Sequence, residues 1–103
     1  MKDTTSIAKA LGDPIRYRIL RMLAESENKC CSIPGVDGQS DAVCNCVLMK
    51  ELDMIQSRVS YHMKELVETG LVIEKPLGRW KFYSINYDTM REFLNQLKEE
   101  FDL

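Results

Sequence analysis

Four cysteines stand in this 103-residue chain as two tight pairs, Cys30-Cys31 and Cys44-Asn45-Cys46. Thiolates so spaced can share one soft or borderline ion, and all four sulfurs would complete a tetrahedral site for cadmium, lead or zinc. A cysteine of one pair can instead bond to a cysteine of the other under oxidation, tying two segments together. The bland alternative is four small buried hydrophobes. Neither pair has the Cys-x-x-Cys spacing of a thioredoxin-like oxidoreductase, and both are tighter than the usual zinc knuckle. The sulfur therefore points to sensing, and no enzyme activity is expected. Within an undisturbed helix, Cys44 and Cys46 would diverge by about 200° around the axis. On that geometry both reach one ion only if the first helical turn frays or unwinds. His62, the only histidine, sits at the edge of an apolar stripe with Val59 and Leu66, which favours packing or a hydrogen bond over ligation.

The elements that must position these sulfurs follow from periodicity and punctuation. Residues 3–11 read as a short helix with Ile7, Ala8 and Leu11 on one side. Gly12-Asp13-Pro14 supplies a stop, an N-cap and a proline at the first helical position. A second helix over roughly 14–26 turns Ile15, Ile19, Leu20 and Leu23 inward, with Arg16, Arg18 and Arg21 tending outward. Residues 27–43 read as loop, punctuated by Pro-Gly and Asp-Gly. With the residues before the next helix, the cysteine-bearing loop spans 27–45. A short helix at about 46–52 buries Val47, Leu48 and Leu52, and a turn at 53–55 leads to a helix at about 56–69. In that helix Val59, Met63, Leu66 and Val67 face in, while Arg58, Tyr61, Lys64 and Glu68 face out. Gly70 ends it. Strands at 71–74 and 80–85 flank a hairpin tip, Lys75 to Arg79. A last helix at about 87–101 carries an apolar stripe of Met90, Phe93, Leu94, Leu97 and Phe101.

Size and composition set the class. A chain of 103 residues makes one domain near the low end of what buries a self-sufficient core, which favours pairing with a second copy. With 45% hydrophobic and 29% charged residues it reads as an ordinary globular protein. No apolar run reaches the roughly 18 residues of a membrane span, and the N-terminus lacks the apolar core of a signal peptide. A cytoplasmic location is expected, where thiols stay mostly reduced. The net charge of −2 is unevenly spread. Residues 1–26 and 56–81 each carry five Lys/Arg against three acids, whereas 27–55 and 82–103 each carry two against five. A local DNA-binding face on an acidic protein is therefore permitted.

Helix, short turn, helix and β-hairpin is the order of a winged helix-turn-helix. A helix of about 13 residues spans roughly 20 Å and fits the major groove. The outward side of the 56–69 helix offers Gln56, Ser57, Arg58, Ser60, Tyr61 and Lys64 to phosphates and base edges. The hairpin adds Lys75, Arg79 and Lys81, suited to the backbone or the adjacent minor groove. The expected fold is mainly α with a small β-hairpin, one winged helix-turn-helix domain over 1–103. Operator double-stranded DNA is the expected partner.

Several runs then resemble the ArsR/SmtB-type repressors. Ala10 to Leu20 (ALGDPIRYRIL) looks like their second-helix signature, Ser57 to Leu66 (SRVSYHMKEL) like their recognition helix, and Glu68 to Val72 (ETGLV) like its exit into the wing. Gly78 to Tyr83 (GRWKFY) resembles the returning wing strand. The resemblance spares only 27–43. It implies a homodimer built on the first and last helices, here Ile7, Leu11, Met90, Phe93, Leu94 and Leu97, that leaves an inverted-repeat operator when an inducer arrives. It also places Cys44 and Cys46 on the two thiolates of the Cys-Val-Cys-Asp-Leu motif in arsenic- and cadmium/lead-sensing members. Some arsenic sensors carry a third sulfur three residues on, where this chain has Met49. Cys30 and Cys31 are then the candidate third donors. The zinc site other members build on the last helix needs histidine, and 87–103 has none. The expectation is a repressor with no permanent cofactor, induced by As(III) or an organoarsenical. A cadmium, lead or zinc sensor and a cysteine redox switch stand as alternatives.

Overall fold

The computed structural model describes residues 4–25 and 42–103, so Cys30 and Cys31 lie outside the described residues with most of the expected loop. In chain order the elements are α1 (Thr4–Leu11), α2 (Pro14–Ala24), β1 (Val43–Cys44), α3 (Asn45–Leu52), α4 (Gln56–Thr69), β2 (Val72–Leu77), β3 (Trp80–Ile85) and α5 (Tyr87–Phe101). The helix-turn-helix is α3 and α4, and the wing is β2 and β3. The loop expected to run to residue 45 ends earlier, because Val43 and Cys44 pair as a strand and Asn45 opens α3. Two residues are too few for any periodicity to announce.

Local chemistry sets each junction. The Asp13 carboxylate accepts from the Ile15 and Arg16 amides at 2.9 and 3.1 Å, and Pro14 follows at the first helical position. The Arg16 amide does most to hold this carboxyl below its ordinary value, outweighing the opposing effect of burial. Asp13→Ala is expected to cost about 0.5–2 kcal/mol of unfolding free energy, measured by urea denaturation. The folded carboxyl has the lower pKa, so its contribution is fully present above the ordinary value of 3.8 and is lost as pH falls through the folded one. The gap between variant and parent should therefore close in acid. Between α3 and α4 the chain reverses at Asp53, whose φ of 53° is left-handed and whose amide donates to Lys50 and Met49. Aspartate tolerates that region better than most side chains. Gly70, at φ 87°, closes α4 in the same way.

The sheet is antiparallel throughout, in the order β1-β3-β2, with Val43 opposite Tyr83 and Cys44 opposite Phe82. The wing strands run further than the sequence suggests. They meet at Leu77 opposite Trp80, which reduces the expected five-residue tip to Gly78-Arg79. Gly78, at φ 62°, takes the glycine position of a type II′ turn.

Ile7 and Ala10 of α1, Ile19, Leu20 and Leu23 of α2, Leu48 of α3, Val59, Met63 and Leu66 of α4, and Tyr83 and Ile85 of β3 form the main core. A smaller cluster joins Ala42, Cys44 and Phe82, with Cys46, Val47 and Trp80 against it. Two expectations change. Arg16, expected to tend outward, is buried. Ile7, assigned to a dimer face, lies within the protomer's own core, so its side chain is not offered to a second copy. The apolar stripe of α5 behaves differently, for no residue of that helix is buried. Among the described residues no helix is long and apolar enough to cross a membrane.

Candidate nucleic-acid interface and thiol pair

The outer face of α4 presents the side chains that sequence spacing singled out. Gln56, Ser57, Arg58, Tyr61 and Lys64 are exposed, and Ser60 is half-buried. Ile55 stands at the N-cap without a side-chain hydrogen bond, which leaves the first amides of α4 to solvent or to a phosphate. On the wing, Lys75, Arg79 and Lys81 are all exposed. The Arg79 guanidinium lies 5.3 Å from the Trp80 ring centre, a stacking that limits its rotamers, and Lys81 reaches Glu74 at 3.9 Å. A cleft lined by Ser60, Lys64, Glu74, Lys81 and Tyr83 separates reading helix and wing. The arrangement joins a groove-sized helix to a cationic hairpin, the chemistry of backbone anchoring combined with base reading.

Two buried polar groups support that helix from below. The Arg16 guanidinium lies 4.0 Å from Glu65 and 5.7 Å from the Tyr61 ring centre, and its Nε has no hydrogen-bond partner. His62 is buried, packs edge-on to Tyr61 at 5.3 Å between centroids, and leaves Nδ1 without a partner. Burial first, and the neighbouring Arg16 charge second, push its pKa below the ordinary 6.5. A neutral imidazole in van der Waals packing is the result. Sequence reasoning passed over Arg16 as a support for Tyr61. The signal was present, since Arg16 lies three and four residues before Ile19 and Leu20 on the inner face.

The thiol pair lies at the start of α3. Cys44 is the N-cap, with extended backbone at φ −69° and ψ 145°, and its sulfur accepts from the Cys46 amide at 3.3 Å. Because Cys44 is outside the helix, the expected divergence of about 200° does not arise. The two sulfurs converge to 2.7 Å with the helix intact. This corrects the expectation that α3 must unwind before both can face one ion. Cys44 is 0% exposed and Cys46 is partly exposed, so the pair is open from one side. Asn45, between them, accepts through Oδ1 from the Cys44 thiol at 3.6 Å and from the Lys81 amide at 3.3 Å. Nothing in the sequence reading singled out Asn45. Met49 packs against the main core, away from the smaller cluster that holds the sulfurs. Two convergent thiols, one shielded and one accessible, fit a thiophilic ion. Among the described residues no group of three or more Cys, His, Asp or Glu side chains gathers to complete a site.

Comparison with known proteins bears on both halves of the site. The family described as "Bacterial regulatory protein, arsR family" matches residues 40–74, which span β1, α3, α4 and the start of β2. An uncharacterized HTH-type transcriptional regulator of Methanocaldococcus jannaschii is 32% identical over 98 residues, covering 95% of this chain and 94% of that protein. The arsenical resistance operon repressor of Staphylococcus xylosus is 29% identical over 102 residues, covering 99% and 80%. Among solved structures, an ArsR family transcriptional regulator superposes with a TM-score of 0.74 at 20% identity, covering 97% of this chain and 94% of that one. HlyU from Vibrio cholerae gives 0.64 at 20% identity, covering 96% and 91%. These two show the shared winged helix-turn-helix fold.

Proposed function

This chain belongs to the arsR family of DNA-binding transcriptional regulators, which are not enzymes, and on that premise we propose that it is a repressor released from its operator by a thiophilic inducer, trivalent arsenic foremost. The observation that carries the reading is the convergence of the Cys44 and Cys46 sulfurs at the head of α3, the helix packed against the reading helix α4. Relatives named as arsenical resistance operon repressors, in Staphylococcus xylosus and Bacillus subtilis, support arsenic over other soft ions. Cys44 and Cys46 would hold the inducer, and Cys30 or Cys31, outside the described residues, is the proposed third donor. When bound, it supplies bonds to sulfur that neither thiol can make alone.

The DNA contacts we assign to Gln56, Ser57, Arg58, Ser60, Tyr61 and Lys64 on α4 and to Lys75, Arg79 and Lys81 on the wing. The functional unit is residues 1–103 acting as a homodimer. Support for a dimer comes from α5, where no residue is buried and the apolar stripe leaves Leu94 52% and Phe101 67% exposed. Met90, Phe93 and Leu97 are half-buried on the same helix, as is Leu11 on α1, and we assign Leu11, Met90, Phe93, Leu94 and Leu97, without the core residue Ile7, to that contact. The test is operator binding by fluorescence anisotropy with reduced protein titrated by As(III), Cd(II), Zn(II) and hydrogen peroxide. Thiolate absorption is followed in parallel. As(III) is expected to release DNA at the lowest concentration. Release by Cd(II) or Zn(II) alone would reassign the inducer, and release by peroxide alone would make this a redox switch.

A further inference from the structure

The strand β1 stops at Cys44, yet the hydrogen bonding of β3 continues one position beyond it. A two-residue turn closes on a hydrogen-bonded pair, here Leu77 and Trp80, and antiparallel pairs then alternate. Lys81 opposite Pro76 is therefore a pair without mutual bonds, and the Lys81 amide faces away from β2, towards β1. The backbone has no residue of β1 to meet it there. The Asn45 side chain does so instead, its Oδ1 accepting from the Lys81 amide at 3.3 Å. The same oxygen stands 3.6 Å from the Cys44 sulfur. Asn45 is buried although it is polar, so this oxygen is committed to those two partners rather than to water.

Taking an ion changes what Cys44 presents to this oxygen. A thiol that ligates gives up its proton to solvent, so Cys44 Sγ would cease to donate to Asn45 Oδ1 and would face it as a charged acceptor instead. Cys44 has no free space in which to turn away. It is fully buried, packs with Phe82 and Ala42, and lies directly beside Asn45. Close-packed surroundings pass the change to the neighbouring group.

We propose that Asn45 is the positioning residue through which the sulfur pair acts on the wing, holding Lys81 and with it the Arg79 end of the hairpin against DNA only while Cys44 remains an unligated thiol that donates to it. This rests on the thiol reading above and adds a route to it. The signal passes from Cys44 through one side-chain oxygen to β3, without needing α4 to move first.

Amide hydrogen exchange and operator affinity together test it, with sodium arsenite as the probe. In the parent protein, arsenite should speed exchange at Lys81 by at least about tenfold, while the Phe82 amide, which faces β2, changes little. Asn45→Ala should show fast Lys81 exchange without arsenite and weaker operator binding, and arsenite should then reduce that binding by less than about twofold. Its arsenite uptake, read from thiolate absorption, should match the parent. Alanine is a strong helix former at this position, so α3 should persist. Asn45→Asp, which keeps an acceptor at the same reach, should restore slow exchange at Lys81. If Asn45→Ala leaves DNA as the parent does, over the same arsenite range and with the same fold-change, the relay is wrong and the thiol reading stands. If the parent takes up arsenite and stays on the operator, both fall.

Discussion

Cys44→Ser is expected to stay on operator DNA at arsenite concentrations that strip the parent protein. Cys46→Ser should behave alike. Both remove one of the two convergent sulfurs, and a hydroxyl does not replace a thiolate towards a soft ion. Coupling between effector and DNA typically amounts to about 1–3 kcal/mol, ~5- to 150-fold in affinity, and that whole factor should disappear. Serine is the informative replacement at position 44. The sulfur there caps the Cys46 amide, and serine is a preferred N-cap, so α3 keeps its first turn. An unchanged melting temperature with lost arsenite response is the expected pair of results. Normal release by both variants would remove the sulfur pair from the mechanism.

The second large effect concerns DNA itself. Arg58→Ala should weaken operator binding by ~5- to 150-fold, equivalent to about 1–3 kcal/mol, if its guanidinium reads a base from the exposed face of α4. Arg79→Ala should also weaken binding, but through the backbone, lowering the slope of log affinity against log salt by about 1. The two variants are thus separated by salt dependence as well as by magnitude. Neither side chain is a thiol donor, so arsenite uptake should be unchanged in both. Anisotropy titrations across a range of salt concentrations decide it, and full operator affinity in both variants would sink the docking geometry.

The sequence made much of this legible, and the failures have physical causes. The bounds of α4 and α5 follow from periodicity, Gly70 and the stripe from Met90 to Phe101, and the structure places both helices where that reading put them. The sulfur pair was visible as spacing, but its geometry was misjudged. A divergence of about 200° requires both cysteines to be helical, whereas Cys44 is the N-cap, a role its residue type does not announce. Arg16 failed in the opposite way. Its position lies on the inner face of α2, but its charge argues for the outside, and the guanidinium instead lies 5.7 Å from the Tyr61 ring centre. β1 and the Asn45 contact depend on residues 36 to 40 positions apart in the chain, which no local pattern encodes.

The order β1-β3-β2 leaves β2 as an outer strand, and such a strand is a template on which another chain can stack. Pro76 occupies one of the positions whose backbone faces outward, where it offers no amide to an incoming strand. Lys75 beside it, and Glu74 before that, add charge to the same stretch. The hairpin thus remains a solitary finger instead of a seed for intermolecular sheets. For a protein concentrated onto DNA with its wings extended, that resistance to aggregation is a condition of remaining soluble.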